Sequence, residues 1–526
     1  MLKMVDGTGI IGVDMVCPLG ISTPQPPNYD KVEMEGVGSL MLPNSLKAPL
    51  ERVELLGNST QGENPAPDNP QEIKSAGRKS KNLFNIADLR VGQVQKDGTI
   101  NEKQIYYRTV ILDVPQDGKY RITFNSNDDY TMLYLTEAYA NGAYSNPYIR
   151  VHAGNPNYYI TLAKGKNILS FSTHTASGNI AFTTDHNIMI AAESETLDYE
   201  PYGYFFDLKI TGKNLLSNKP TDWMIGKTTS WGAVPQTPVS YGKNVKNAIA
   251  TINAKSSTNY SFINKETNKL WVCRIIELDA NGLGLVNHAL YANESFNYKK
   301  YNFSTRSNTA NIVFEIKKVD NTELLSTDIE SNKIMLVEGE VNEPTPYEPY
   351  TEQFMQIVLN EPLRGIGEYK DVLTKDGVVR KIKRTVFDGS EDEKWALSND
   401  PKNITTNRFC IGMKTINTYY KMLTMCNKMA WKNANQVDVV GQSTHGVNFY
   451  ITLPKDLAPD LQTFRTWLSQ NSLTVDYVLA EPVTELLPES VQDQLSALHS
   501  ENGVTHVFVD SGEVECGIKL TYRKEK

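Results

Sequence analysis

The chain has no run of about 18 apolar residues anywhere in its length, so nothing in it is written to cross a membrane as a helix. Cysteine is scarce. The five (Cys17, Cys273, Cys410, Cys426, Cys516) are odd in number and include no Cys-x-x-Cys pair. That excludes a disulfide framework and a zinc ribbon, and it fits free thiols made in a reducing compartment. Charge of one sign is also missing: 53 basic against 61 acidic residues leaves a net −8, which excludes a general nucleic-acid or anionic-membrane binder. Gly and Pro, 34 and 25 of 526 residues, are present at an ordinary share, so long low-complexity linkers are excluded. The first residues, MLKMVDGTGIIGVDMV, carry one lysine and are cut by Asp6 and Asp14. No clean signal-peptide core exists there, and synthesis in the cytoplasm without a secretory signal is expected. The seven histidines never fall at a His-x-His or His-x-x-x-His spacing, so no metal set is written either.

What is present is the balance of a folded protein, 40% apolar and 22% charged, long enough for about three or four domains. Tyrosine, at 27, outnumbers Phe and Trp together and favours wet contact surfaces. The most informative feature is an internal repeat. Lys81-Asn82-Leu83-Phe84 is matched by Lys213-Asn214-Leu215-Leu216, and Glu137-Ala138-Tyr139-Ala140-Asn141-Gly142 by Glu277-Leu278-Asp279-Ala280-Asn281-Gly282. The latter pair follows Tyr120 and Tyr260 at equal distance. Phe171-Ser172-Thr173 pairs with Phe303-Ser304-Thr305, and Asn179-Ile180-Ala181-Phe182 with Asn311-Ile312-Val313-Phe314. Ile188-Met189 and Ile334-Met335 then precede Tyr-Glu-Pro-Tyr at 199–202 and 347–350. Six words in one order imply a duplicated module the size of a domain.

Within the module, short apolar runs are punctuated by Gly, Asn and Asp, and both Asn-Gly pairs are hairpin signals. The expected fold is therefore mainly β: two tandem jelly-roll-like sandwiches, at 81–207 and 213–354. Residues 1–80 read as an N-terminal arm and connector, with a strand or two around Val53 and Leu55 between proline-rich patches. Residues 360–526 read as a C-terminal domain that is α+β, mostly β. It holds a hairpin about Asp376-Gly377, a helix on Leu457, Leu461, Phe464 and Leu468 capped by Asp456, and a half-buried strand on Val514, Cys516, Ile518, Leu520 and Tyr522. Residues 1–49 carry apolar side chains (Ile10, Ile11, Val13, Met15, Val16, Leu19) without a regular pattern, as expected of a segment that orders on a partner.

No catalytic motif is complete. Gly441-Gln442-Ser443-Thr444-His445 lacks the last glycine of a nucleophile elbow, and strand-like alternation follows it. Gly226-Lys227-Thr228 lacks the first glycine of a phosphate loop. Asp279-Ala280-Asn281-Gly282 lacks the downstream glutamate of a calcium loop, although a calcium ion elsewhere in a jelly roll is left open. Ser390-Glu391-Asp392-Glu393 reads as a solvated turn, and Arg380-Lys381-Ile382-Lys383-Arg384 as a solvated strand face. No enzyme, cofactor or metal is expected. Trp223, Trp231 and Tyr241 crowd a Thr/Ser/Gly/Pro-rich stretch and are the candidate carbohydrate-binding residues, because an exposed ring suits the apolar face of a sugar. The competing reading makes the two tryptophans core anchors.

Together with these repeats, Gly57-Asn58-Ser59-Thr60-Gln61, the run Pro65–Ile73, Leu363-Arg364-Gly365-Ile366-Gly367, Phe387–Asp392 with Trp395, Phe464-Arg465-Thr466-Trp467-Leu468 and Tyr477–Val483 resemble the minor structural and tail-tip proteins of tailed phages that infect Gram-positive bacteria. The resemblance covers about residues 50–500. It implies a virion protein of the tail (baseplate, tip or fibre), assembled in the host cytoplasm and contributing to host attachment, with carbohydrate-binding-like sandwiches. Its implied partners are other tail proteins through the N-terminal arm, further copies of itself, and a host-surface glycan. A tail-borne glycan depolymerase and a bacterial surface adhesin are the alternatives. The first wants a long parallel β-helix or a catalytic domain, the second a signal and an anchor.

Overall fold

The computed structural model describes residues 28–124, 132–152, 158–175, 178–179, 187–195, 198–225, 246–265, 270–289, 300–318, 320–342, 345–398, 403–416, 418–419, 422–433 and 435–526. The fold is mainly β, as expected, and its frame is one twelve-stranded sheet. The strands of that sheet come from distant parts of the chain: Tyr29–Val37, Ser39–Ser45 and Arg52–Leu56, then Tyr204–Thr211 and Glu352–Leu359, then Val372–Thr374, Gly377–Phe387, Leu473–Glu485, Gly503–Asp510 and Gly517–Glu525, with short edge pieces.

The division into an N-terminal arm and a C-terminal domain is thereby corrected. Tyr29–Val37 pairs with Gly517–Glu525 along its whole length, and Ser39–Ser45 pairs with Gly503–Asp510. Residues 28–49 do alternate, Val32 with Met34 and Leu40 with Leu42, so the expectation of no regular pattern is overturned for them; they have too few apolar residues to make a core alone. Leu40 and Leu42 are buried beside Leu55, Ile518, Leu520 and Tyr522, while intervening residues face solvent. The strands that pair with these two lie over 450 residues away in sequence. The Asp376-Gly377 hairpin forms with a two-residue loop, Thr374 facing Gly377.

Three modules are inserted into this frame. The first leaves after Arg78–Lys79 and returns as Tyr204–Thr211. The second leaves from that same strand and returns as Glu352–Leu359, which pairs with it. The third lies between Gly377–Phe387 and Leu473–Glu485. In the first module the larger sheet has the order Ala143–Ser145, Met132–Ala140, Gly165–Thr175, Arg108–Val114, Arg90–Val91. In the second the order is Gly284–Ala289, Leu270–Leu278, Asn311–Lys318, Asn247–Asn253, Trp223–Ile225. The smaller sheets are Tyr158–Leu162, Gly118–Thr123, Met189–Ala192 and Lys300–Ser304, Asn259–Asn264, Ile334–Glu338. Apart from two extra strands in the first module, Ile149–His152 and Gly178–Asn179, the two topologies are the same position for position, and successive strands cross between sheets as in a jelly roll.

Four of the six repeated words sit at equivalent places, one does not, and one lies mostly outside the described residues. Phe171-Ser172-Thr173 lies on a central strand of the larger sheet, whereas Phe303-Ser304 lies on an edge strand of the smaller one. The Asn311–Phe314 strand corresponds to Gly165–Thr175, while residues 180–182 fall outside the described set.

The first word has a physical basis. Asn82 is buried; its side-chain N–H donates to Ile188 O at 3.0 Å, and its Oδ1 accepts from Phe84 N at 2.9 Å and Ile190 N at 3.0 Å. Asn214 repeats the pattern with Ile334 O, Leu216 N and Leu336 N. One side chain in each module therefore ties the entry of the sandwich to its last strand, where Ile-Met lies. The Glu of Tyr-Glu-Pro-Tyr closes the same stem: Glu200 accepts from Lys81 N at 2.8 Å and Arg78 Nη1 at 2.7 Å, and Glu348 pairs with Lys213 at 3.0 Å.

In the third module a five-stranded sheet packs beneath the helix Leu461–Gln470, through Phe409, Phe464, Trp467 and Leu468. The cap is Asp460, which accepts from Thr463 N at 2.8 Å, and not Asp456; Leu457 precedes the helix and is exposed.

Where the second module meets the frame, His506 faces Thr211 across the ladder and is fully buried. Glu338 lies 3.5 Å from its Nδ1, but that carboxylate is held by Lys255 at 3.0 Å. Burial first, and the Lys255 charge second, lower the His506 pKa from 6.5 to about 3. The unfolded chain takes up this proton near pH 6.5 and the folded chain only near 3, so stability is full above that window and falls as pH drops through it.

Two outcomes are expected. Asn82→Ala, which strands two amides and a carbonyl, costs about 3 kcal/mol in chemical denaturation, and Asn214→Ala a similar amount. Between pH 7 and about pH 4 the unaltered chain loses stability, on the order of a few kcal/mol from this group, and His506→Phe flattens that part of the profile of urea midpoints.

Candidate functional site

Three of the incomplete motifs have a local structural role. Gly441-Gln442-Ser443-Thr444-His445 runs along the strand Gly441–Gly446, paired with Asn448–Pro454, and no strand-to-helix turn lifts Ser443. Asp279 Oδ1 accepts from Asn281 N and Leu283 N within its own turn, and Gly282 has a positive φ of 77°. Glu393 accepts from Asp388 N, Gly389 N and the Trp395 indole, so it folds a loop. Gly226-Lys227-Thr228 lies outside the described residues.

The basic run is a second correction. Its outer arginines do not line a solvated face. Arg380 is buried, donating from Nε to Glu485 at 3.0 Å and from Nη1 to Pro362 O at 2.7 Å, with Asp371 at 3.4 Å. Arg384 grips Asp476 with two bonds of 2.7 and 2.9 Å. These forks join strands inside the frame, and a buried guanidinium without such partners would be very costly.

Of the candidate carbohydrate-binding residues, Trp231 and Tyr241 lie outside the described residues. Trp223 is corrected: it is 4% exposed, packs in the core of the second module, and donates from its indole to Ser217 O at 2.8 Å. It offers no face to a sugar. The Thr/Ser-rich surroundings that suggested exposure belong to neighbouring positions, and the strand Trp223–Ile225 turns this ring inward.

Aromatic surface is instead concentrated on the outer face of the larger sheet of the first module. On Met132–Ala140, Leu133 and Leu135 point into the sandwich, so Tyr134 points out; it faces Arg150 and Ser172 across the ladders. Thr136 is a bulge, which returns Glu137 to the outer face opposite Ser170, with Tyr139 and its cross-strand partner Tyr144 beyond. Tyr148 lies 5.9 Å from Tyr134, ring to ring, and the Arg150 guanidinium sits 5.8 Å from the same Tyr134 ring. Around the edge of the same sheet a cleft of about 620 Å³ opens between the two sheets, bordered by Tyr139, Tyr159 and Asn167. The sequence pointed to tyrosine as contact material, but the positions are set by the bulge and by pairing, which no local pattern encodes.

Among the described residues no group of three or more His, Cys, Asp or Glu is placed to hold a metal ion, and no helix is long and apolar enough to cross a membrane. What the first module presents is a face suited to stacking and hydrogen bonding.

No protein-family model matches the chain, and no curated protein matches it. Among solved structures, a chain from infectious bursal disease virus Gt strain aligns over 95% of this chain and 83% of its own, at 8% identity and a TM-score of 0.12. A chain from infectious bursal virus derived T=1 particles aligns over 95% and 80%, at 7% identity and a TM-score of 0.12. Similarity at that level is too slight for either arrangement to be carried over to this chain.

Proposed function

We propose that this protein is a structural component of a bacteriophage tail, in the baseplate, tip or fibre, whose sandwich modules contribute to attachment at the host surface by contacting glycans. The observation that carries this reading is the build: two sandwiches of one topology, hung on a shared sheet through stems of the same design. Duplicated modules on a stiff frame suit weak contacts that gain strength by repetition, above all in a particle that holds several copies. The tyrosine-rich outer face of the first module supplies surface of the right chemistry, the exposed Tyr148 ring beside Tyr134 and the Arg150 guanidinium. The resemblance of residues 57–84, 363–395 and 464–483 to tail-tip proteins points the same way.

Attachment to the tail is assigned to residues 1–27, since 28–49 belong to the frame. The reading carries no catalytic step. It places the protein in the virion, with other tail proteins, further copies of itself and a host glycan as partners.

Mass spectrometry of purified particles should find the chain. A truncation starting at residue 28 should fold, bind cells and fail to join particles, whereas one starting at residue 50 should not fold, having lost the strands Tyr29–Val37 and Ser39–Ser45. Absence from particles, or full incorporation of the chain that starts at residue 28, overturns the respective part of the reading.

A further inference from the structure

The frame's sheet ends in an open edge. Glu352–Leu359 is the last member of the strand order, and its one partner strand among the described residues is Tyr204–Thr211. Bonds further along the sheet show which of its backbone groups are left over. Val509 N donates to Gly38 O at 2.8 Å, so the amide and carbonyl of Val509 face away from Tyr204–Thr211. Leu208, opposite Val509 on that ladder, therefore turns its own groups the other way, toward Met355. Gly203 O accepts from Ser80 N at 2.9 Å on the side away from Glu352–Leu359, as the same alternation requires. Met355 and Ile357 thus bond into the sheet, and Phe354, Gln356 and Val358 turn their N–H and C=O groups to the open side. Among the described residues nothing hydrogen-bonds to these groups there.

Such an edge is a template for another strand, and proteins usually blunt it with charge, proline, a bulge or short length. Elsewhere the frame does so. Tyr29–Val37, whose one partner strand among the described residues is Gly517–Glu525, carries Asp30, Lys31, Glu33 and Glu35. The far end of the sheet, Thr424–Cys426, is only three residues long. Glu352–Leu359 has none of these devices. It is eight residues long, holds no proline or lysine, and keeps an unbroken register with Tyr204–Thr211. Its single charge, Glu352, is already held by Lys209 and Lys219. Phe354, on the outer face, is 58% exposed.

We propose that this edge pairs antiparallel with the same edge of a second copy of the chain, about a two-fold axis through Gln356. The strand's own sequence selects a copy of itself. In that register Phe354 lies opposite the partner's Val358, Gln356 opposite the partner's Gln356, and Met355 opposite the partner's Ile357. Aromatic meets aliphatic, amide meets amide, and no charge faces a like charge. The neighbouring registers that keep the same facing fit less well. Centring on Met355 sets Glu352 opposite the partner's Val358, and centring on Ile357 sets Gln356 opposite it. The axis stands normal to the sheet, so the two frames join as one sheet and each module lies on the same side as its copy. This gives a place to the self-association included in the proposed function, but it stands on the strand edge and not on the tail reading.

Sedimentation of the full chain tests it. At about 100 µM the chain should run as a dimer, and dilution to about 1 µM should begin to dissociate it, as expected of a small interface. Gln356→Pro removes an N–H that points off the sheet, so it should abolish the dimer and leave the circular dichroism spectrum unchanged. Phe354→Lys should weaken the dimer about tenfold or more with the fold retained. Under mild oxidation Gln356→Cys should give a disulfide-linked dimer, because a residue on the axis meets itself with Cα atoms about 5.5 Å apart. Phe354→Cys and the unaltered chain should not. A chain that is monomeric at about 100 µM, a dimer indifferent to both Gln356→Pro and Phe354→Lys, or linkage at Phe354→Cys in place of Gln356→Cys overturns the pairing. The truncation starting at residue 28 should dimerise like the full chain; loss of its dimer would make residues 1–27 of a neighbouring copy the occupant and overturn the proposal. A chain that dimerises by this edge but is absent from purified particles overturns the tail reading alone, and a monomeric chain present in particles overturns the edge alone.

Discussion

The pairing of Tyr204–Thr211 with its two neighbours is the interaction on which the molecule depends. One edge of this strand is laddered to Glu352–Leu359, from Tyr204 with Leu359 to Thr211 with Glu352, and the other to Gly503–Asp510. Its first residues close the first module and its last residues open the second. Phe206, Leu208 and Ile210 point into the frame's core, while Phe205 on the other side lies under the Arg78 guanidinium at 4.6 Å. A slip of one residue would exchange these faces and turn both modules over with them. The turn into the strand requires Gly203: φ is 144°, and a Cβ there would lie 2.7 Å from Leu359 O.

Ion pairs do comparable work in the half of the sheet that carries the third module. Asp371 is fully buried and accepts from Arg364 N at 3.0 Å, Lys381 N at 2.8 Å and Ile382 N at 3.0 Å, with Arg380 beside it. Burial dominates and raises its pKa, against the pull of those donors. Such an arrangement contributes little net stability compared with an apolar substitute, but breaking one member leaves a stranded charge. It therefore fixes which strands meet more than how tightly they hold, joining the Val372–Thr374 hairpin to the strand that leads into the third module.

Local chemistry was legible in the sequence wherever the determinant was local. Period-two burial of Ile518, Leu520 and Tyr522, the Asp-Gly hairpin and the inward helix face at Phe464 and Leu468 all follow from short-range pattern. What failed depended on distant partners or on a single inserted residue. The strands at 29–45 have their pairing strands at the far end of the chain. Bulges at different places on equivalent strands, Thr136 in one module and Cys273 in the other, leave Glu137 opposite Ser170 and Glu277 opposite the core residue Ile312, although their words equate them. Phe171-Ser172-Thr173 and Phe303-Ser304-Thr305 match in letters but not in strand, because a β-sandwich reuses the same aromatic–hydroxyl alternation on several strands. Trp223 was misread from the polarity of its neighbours, since composition around a residue does not say which way its own side chain turns.

The stem of the second module has a mechanical consequence. The module leaves the frame at Thr211 and re-enters at Glu352, and these two residues are cross-strand partners. A load applied to the module therefore falls on a single rung and opens the ladder from that end like a zip, rather than sliding all of its pairs at once. At that first rung stands a clasp: Glu352 takes Lys209 at 3.1 Å, Lys219 at 2.9 Å and the Tyr350 hydroxyl, and both ammonium groups lie within 6 Å of the Tyr350 ring, at 5.7 and 5.8 Å. The weakest direction of pull meets this clasp first, so the module yields to force only after Glu352 lets go.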